Sequence, residues 1–244
     1  MKRGFLYVVF GEEYAIPFRK SVEYLRRVSK YPIAVLTNVK DLKVNVDIVT
    51  NFNMQDNENR IIRTQAFNYT PFEQTLLMDA DSMPISRKVN YLFDQLDIHD
   101  FGFQKVREFT TNVPKVYGHA LYKTKTTTPL TAYSGGVILF NKSEKCKALF
   151  DTWHEYWKIT GRGRDMPSLA CAIKNSNISF FVVDNCIDRD INSDTIIFHA
   201  YGEHDKTILP KFEKSKPFDY RNDLFKLIPV ELNTLLANSP LDTL

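Results

Sequence analysis

Asp79 and Asp81 stand one residue apart in the stretch LLMDADSMPI (76–85), directly after the apolar run Leu76, Leu77 and Met78. In extended backbone, residues two apart point to the same side, so this spacing aims both carboxylates at one spot. Like charges held that close repel unless something positive sits between them. Two hard oxygen ligands at a strand end suit Mg²⁺ or Mn²⁺, which keep few protein ligands and fill their other positions with water and phosphate oxygens. A triplet of this kind also arises by chance, with the first aspartate capping a strand exit and the second facing solvent. The elements around it decide its meaning.

Those elements alternate. GFLYVVFG (Gly4 to Gly11) reads as a strand buried on both faces and ended by glycine. A loop from Glu12 to Ile16 then leads to a helix that Pro17 opens, with Phe18, Val22, Leu25 and Val28 on its apolar face. IAVLT (33–37) and VDIVT (46–50) are two further strands, and NENRIIRTQAFNYTPFE carries a helix that Pro71 terminates just before the strand ending at Asp79. Strands alternating with helices predict a mostly parallel sheet covered by helices, in which ligands bind beyond the carboxyl ends of the strands. Asp79 and Asp81 fall at such an end. From Phe101 to Thr131 regularity is lost, and a long polar loop is expected there. YSGGVILFN (133–141) reads as a small-residue turn feeding a strand, Ser143 as the cap of a long helix, 168–174 as a short helix, and ISFFVVD and TIIFH as strands, the last ending at His199.

The chain has 244 residues, 43% hydrophobic and 25% charged, which fits one domain with a sizeable core. Lys2 and Arg3 precede an apolar run too short, and too soon followed by Glu12 and Glu13, for a signal peptide. No stretch is long enough to span a bilayer, so a cytoplasmic protein is expected. Cys146, Cys171 and Cys186 lack metal-ligand spacing and read as reduced structural thiols. Net charge is only +3, yet Lys105, Arg107, Lys115, Lys123 and Lys125 face a single Glu108 between 101 and 133. The positive excess sits in one segment.

The string YTPFEQTLLMDADSMPI resembles the approach to the metal motif in GT-A fold glycosyltransferases, in particular the glycogenin-like and lipopolysaccharide-galactosyltransferase-like group. Three further landmarks follow in that group's order: YSGGVILFN resembles its Asn-Ser-Gly-Val strand, GRDMPSLACAI its Asp-Gln-x-x-Leu helix, and IIFHAYG its His-x-x-Gly. The resemblance covers roughly residues 5 to 206 and implies an α/β, Rossmann-like single GT-A domain over 1–206, with an acceptor-side insert near 101–133 and a C-terminal extension over 207–244.

By the same resemblance, Asp79, Asp81 and His199 are metal ligands, and the ion bridges the two phosphates of a nucleotide-sugar. An imidazole beside two carboxylates tilts the preference from Mg²⁺ toward Mn²⁺. Asp79, Ala80 and Asp81 lie at the donor, as do Arg60 or Arg63, between which the sequence does not choose, and Lys206, one residue farther from the histidine than in the glycogenin pattern. Phe10, Gly11 and Tyr14 correspond to the loop for base and ribose, Ser134, Gly135 and Gly136 to the sugar pocket, and Gly202 to the glycine of His-x-x-Gly. Asp165 matches the family's aspartate beside the reacting carbon, while Met166 replaces the glutamine. Whether Asp165 orients hydroxyls, serves as a base or caps a helix stays open, as does retention or inversion.

The implied activity is sugar transfer from a nucleotide-diphosphate sugar, UDP-sugar favoured, to a hydroxyl. Basic residues interleaved with Phe101, Phe103, Phe109, Tyr117, Tyr122 and Tyr133 suit an anionic acceptor: DNA with a modified base, as some bacteriophage enzymes use, or a phosphorylated glycan. The alternatives are a transferase building glycan or lipopolysaccharide core, and an idle nucleotide-sugar or nucleic-acid binding protein on the same scaffold. The cell is expected to be bacterial or phage-infected.

Overall fold

A computed structural model describes residues 1–183, 187–188 and 195–199. Gly202, Lys206, Cys186 and the expected extension over 207–244 lie outside the described residues. Within them, strand β1 (Arg3–Val9) is followed by helix α1 (Glu12–Val28), β2 (Ile33–Thr37) and β3 (Ile48–Asn51). Short helices α2 (Asn59–Arg63) and α3 (Ala66–Tyr69) lead to β4 (Gln74–Met78) and β5 (Ser82–Pro84). After a 3₁₀ segment, Arg87–Asp97, come β6 (Phe101–Phe109), α4 (Lys115–Thr124), β7 (Leu130–Asn141), α5 (Glu144–Ile159), α6 (Met166–Lys174), β8 (Phe180–Val182), β9 (Ile187–Asp188) and β10 (Ile197–His199).

The main sheet has the order β3-β2-β1-β4-β7-β6-β8, parallel except where β7 runs antiparallel to β4 and β6. Along β1 the period-two pattern is apolar on both sides. Phe5, Tyr7 and Val9 pack with α1 and the 3₁₀ segment, whereas Leu6, Val8 and Phe10 pack with α5 and α6. A second sheet, β5-β10-β9, sits at the carboxyl end of β4, and its antiparallel register sets His199 opposite Ser82. Cys146 and Cys171 are buried free thiols, and burial pushes Cys146 up to about 11.

Four expectations need correction. Helix α1 begins at Glu12, so there is no loop to Ile16. Gly11 takes φ +88°, a turn that admits glycine, and Glu12 and Glu13 complement the positive helix end, which lets Pro17 sit inside the helix at the cost of one hydrogen bond. The helix foreseen before Pro71 is broken into α2 and α3 at Thr64, whose hydroxyl bonds back to the carbonyls of Arg60 and Ile61 and pairs with His154 Nδ1 at 2.8 Å.

The segment 101–131 is ordered as β6, α4 and the start of β7. The small residues at Ser134–Gly136 form no turn. They form a bulge within β7, because Gln104 pairs with Ser134 while Phe103 pairs with Ile138. This bulge divides β7: residues 137–141 pair with β4, and residues 130–134 pair with β6 as a two-stranded ribbon beyond the end of β4.

Close packing beneath the site gives a direct check. A Cβ on Gly4 would lie 2.4 Å from Cζ of Phe72, which is fully buried. Gly4→Ala is expected to cost about 1–3 kcal/mol by overpacking and to lower Tm by roughly 2–12 °C in calorimetry, with the far-UV spectrum kept.

Candidate active site

The carboxyl ends of β1 and β4, the bulge of β7 and the N-terminus of α6 enclose a cleft of about 390 Å³. The turn after β4 is pinned from several sides. The Asp79 amide donates to the Gly136 carbonyl at 2.8 Å, the Ser82 amide to the Asp79 carbonyl at 3.0 Å, and the Ser82 hydroxyl to Gly136 at 3.3 Å. Beneath it, the buried Ser21 hydroxyl donates to the Ser82 carbonyl and pairs with Tyr7.

His199 reaches this turn from β10. Its Nε2 lies 3.4 Å from Asp81 and 3.7 Å from Asp79, and the three candidate ligand atoms fall within 4.8 Å of one another. An ion with bonds of about 2.1 Å places adjacent ligands roughly 3 Å apart and opposite ones about 4 Å apart, so modest closure accommodates it. Gly136 makes room for the imidazole, since a Cβ there would lie 2.1 Å from the ring. The donor set, two carboxylates and one imidazole, fits a divalent ion of the Mn²⁺ or Mg²⁺ kind.

A third carboxylate, Asp165, enters from the loop before α6. Its side chain makes no capping hydrogen bond, which sets aside the capping role. It meets Arg63 Nε at 3.3 Å and Arg60 Nε at 3.9 Å. Arg63 also bonds Asp79, so one buried guanidinium spans the two aspartates. Burial acts to lower the pKa of Arg63, but Asp79 and Asp165 outweigh it, and the group is held charged. Loss of solvent raises the pKa of Asp79; Arg63 opposes this and Asp81 adds to it, with a net upward shift.

The two arginines differ in setting. Arg63, with 10% of its side chain exposed, is the internal brace, and Arg60, with 45% exposed, lies at the cleft mouth. Arg63 Nη2 has no hydrogen-bond partner among the described residues and faces the bulge, 3.6 Å from where a Gly135 Cβ would lie.

Phe10, Tyr14, Ala80, Ser134, Gly135 and Gly136 line the same cleft. Gly11 does not line it and stands behind, its amide donating to Asn38 Oδ1, with Asn38 in turn bonded to Asp56. Sequence reasoning missed Val8, Asn59 and Val106 as lining residues. Val8 was legible, since it shares a strand face with Phe10. Val106 was not, because the ribbon that carries it was read as a loop.

No protein-family model and no curated protein matches the chain. Among solved structures, the galactosyltransferase LgtC, in complex with donor and acceptor sugar analogues, superposes with a TM-score of 0.56 at 10% identity, covering 95% of this chain and 99% of that one. Mouse xyloside xylosyltransferase 1 in its apo form gives 0.52 at 12% identity over 87% of this chain and 93% of that one. The apo bifunctional glycosyltransferase WbbM gives 0.52 at 14% identity, covering 93% of this chain and 44% of that one. The fold is therefore GT-A, as the sequence resemblance implied.

Arg63→Met removes the only cation bonded to both Asp79 and Asp165 among the described residues. In denaturant unfolding without added metal, it is expected to cost about 3–5 kcal/mol, the scale for breaking a buried ion pair from one side. A loss below about 1 kcal/mol, the scale of a surface pair, contradicts the bracing role.

Proposed function

We propose that the protein is a metal-dependent glycosyltransferase that moves a sugar from a nucleotide-diphosphate sugar, UDP-sugar favoured, to a hydroxyl of an anionic acceptor, for which DNA bearing a hydroxylated base is the preferred case. The observation that carries this reading is the charge balance of the cleft on a GT-A scaffold. Three carboxylates, Asp79, Asp81 and Asp165, face two guanidiniums, Arg60 and Arg63, which leaves one excess negative charge. A divalent ion at Asp79, Asp81 and His199 reverses the sign, and the cleft then suits a diphosphate.

When bound there, the ion supplies Lewis-acid stabilisation of the charge that grows on the departing diphosphate. The chain's own groups do the rest. Arg60 at the cleft mouth is placed to approach a phosphate oxygen, a contact that strengthens as the leaving group gains charge. Gly135 and Gly136 present bare backbone, so a sugar ring approaches the bulge closely. Asp165, held by Arg63, is positioned to accept hydrogen bonds from sugar hydroxyls and fix the reacting carbon.

Phe10, Tyr14 and Asn59 offer rings and an amide for the base and ribose. Exposed Lys105, Arg107, Lys115, Lys123 and Lys125, on the ribbon, on α4 and at its C-terminal cap, support an anionic acceptor. Among the described residues no helix is long and apolar enough to cross a membrane. We infer action in the cytoplasm, where nucleotide-sugars and DNA meet.

The test is release of nucleoside diphosphate from a panel of nucleotide-sugars, followed by mass spectrometry with Mn²⁺ or chelator. One donor is expected to turn over with Mn²⁺ only, and Asp79→Asn and Asp81→Asn to lower the rate on the order of 100-fold or more with folding intact. Turnover indifferent to chelator, or none with any donor, contradicts the proposal.

A further inference from the structure

The loop TGRGRD (160–165) between α5 and α6 carries a cation to which the site assigns no task. Trp153 and Trp157, four residues apart on α5, lie on one face of that helix, and both indoles donate into this loop. Trp157 Nε1 bonds the Gly163 carbonyl at 3.0 Å and Trp153 Nε1 the Asp165 carbonyl at 3.1 Å. The peptide oxygens on both sides of Arg164 are thus tied to nearly inaccessible rings. Gly161 and Arg162 take positive φ, which turns the chain back toward the cleft.

The backbone at Arg164 is therefore fixed while its side chain is exposed. Asp165, the adjacent carboxylate, is engaged by Arg63 and Arg60, and Arg164 forms no ion pair among the described residues.

Arg164 is one end of a line of alternating character. Tyr117 of α4 packs against the cluster of Ala120, Leu130, Ala170 and Cys171 that joins α4 to α6, the helix Arg164 precedes, and the guanidinium acts to lower its phenol pKa against the larger upward effect of burial. The Tyr117 ring packs on Phe109 with centroids 4.9 Å apart, and the Arg107 guanidinium sits over Phe109 at 5.6 Å from its centroid. Two guanidiniums are thus spaced by two packed rings, from the ribbon of β6 and β7 to the residue beside Asp165. A single phosphate needs one such cation. Two cations spaced along one wall match a polymer with repeating phosphates, and the partly exposed Tyr117 ring between them, backed by buried Phe109, is a surface its bases can lie against.

We infer that Arg164 and Arg107 hold separate phosphates of one nucleic-acid acceptor strand, with Arg164 the specificity-determining contact next to the reacting hydroxyl. This rests on the transferase reading above and gives its acceptor a defined path. Both side chains are exposed, so their removal tests contact and leaves the fold in place.

The experiment measures fluorescence anisotropy of a labelled DNA 20-mer containing hydroxymethylcytosine across a salt series, for the wild type, Arg164→Ala, Arg107→Ala and Arg164→Lys. Calorimetry of UDP with Mn²⁺ is run on the same proteins. Each alanine variant is expected to weaken DNA binding about tenfold and to reduce the logarithmic salt slope by about one, whereas Arg164→Lys keeps the slope and loses part of the affinity. UDP binding with DNA affinity and slope equal to wild type in Arg164→Ala overturns the inference and leaves the transferase reading standing. Wild type that binds UDP and a phosphorylated saccharide but not DNA overturns the nucleic-acid assignment. Failure of UDP, and of each other nucleoside diphosphate tried in its place, to bind the wild type with Mn²⁺ removes the transferase reading on which the inference rests.

Discussion

Three carboxylates converge on one cleft, and the surrounding structure is arranged around their mutual repulsion. Asp79, Asp81 and Asp165 come from two distant parts of the chain, and each loses solvent on folding. Arg63 offsets part of this by bonding two of them at once from a nearly closed position. What remains is an excess of negative charge at the one place where the imidazole of His199 also arrives. The upward shift of Asp79 expresses the same tension. Under the proposed function, a divalent cation relieves it and turns the cleft toward an anionic donor.

The geometry depends on two departures from regular sheet. The bulge of β7 releases the Gly136 carbonyl toward the Asp79 turn and leaves space for the His199 ring, so one irregularity positions two of the candidate ligands. It also separates the upper half of β7 from β4 and frees the ribbon that walls the cleft with Val106. The small sheet provides the other constraint. By pairing β10 against β5 it turns the end of a late strand back onto the residue that follows Asp81. The candidate ligands are thus held by a hydrogen-bonded turn and a paired strand, which limits how far each would have to move to close on an ion.

The sequence carried the carboxylates, the alternation of strands and helices and the strand ending at His199, because these depend on local spacing and hydrophobic period. It also carried Ser143 as a helix cap, whose hydroxyl accepts from the Cys146 amide. The distinct roles of Arg60 and Arg63 were not legible. They lie three apart on one short helix, and only the arrival of Asp165 from far along the chain separates brace from rim. The ribbon at 101–109 was concealed for a related reason: its outer half is exposed, so the alternation that marks a half-buried strand fades after Phe103. In YSGG, small residues suggest a turn, and the pairing of both flanks with β6 makes a bulge of them instead.

The central claim is that Asp79, Asp81 and His199 share one cation, and pulsed electron paramagnetic resonance of bound Mn²⁺ tests it most directly. The account predicts one Mn²⁺ per chain with coupling to a histidine nitrogen. That coupling changes when the histidines carry ¹⁵N, and it disappears in Gly136→Ala, where the added methyl displaces the ring. Mn²⁺ bound without nitrogen coupling, or coupling that survives Gly136→Ala unchanged, would contradict it.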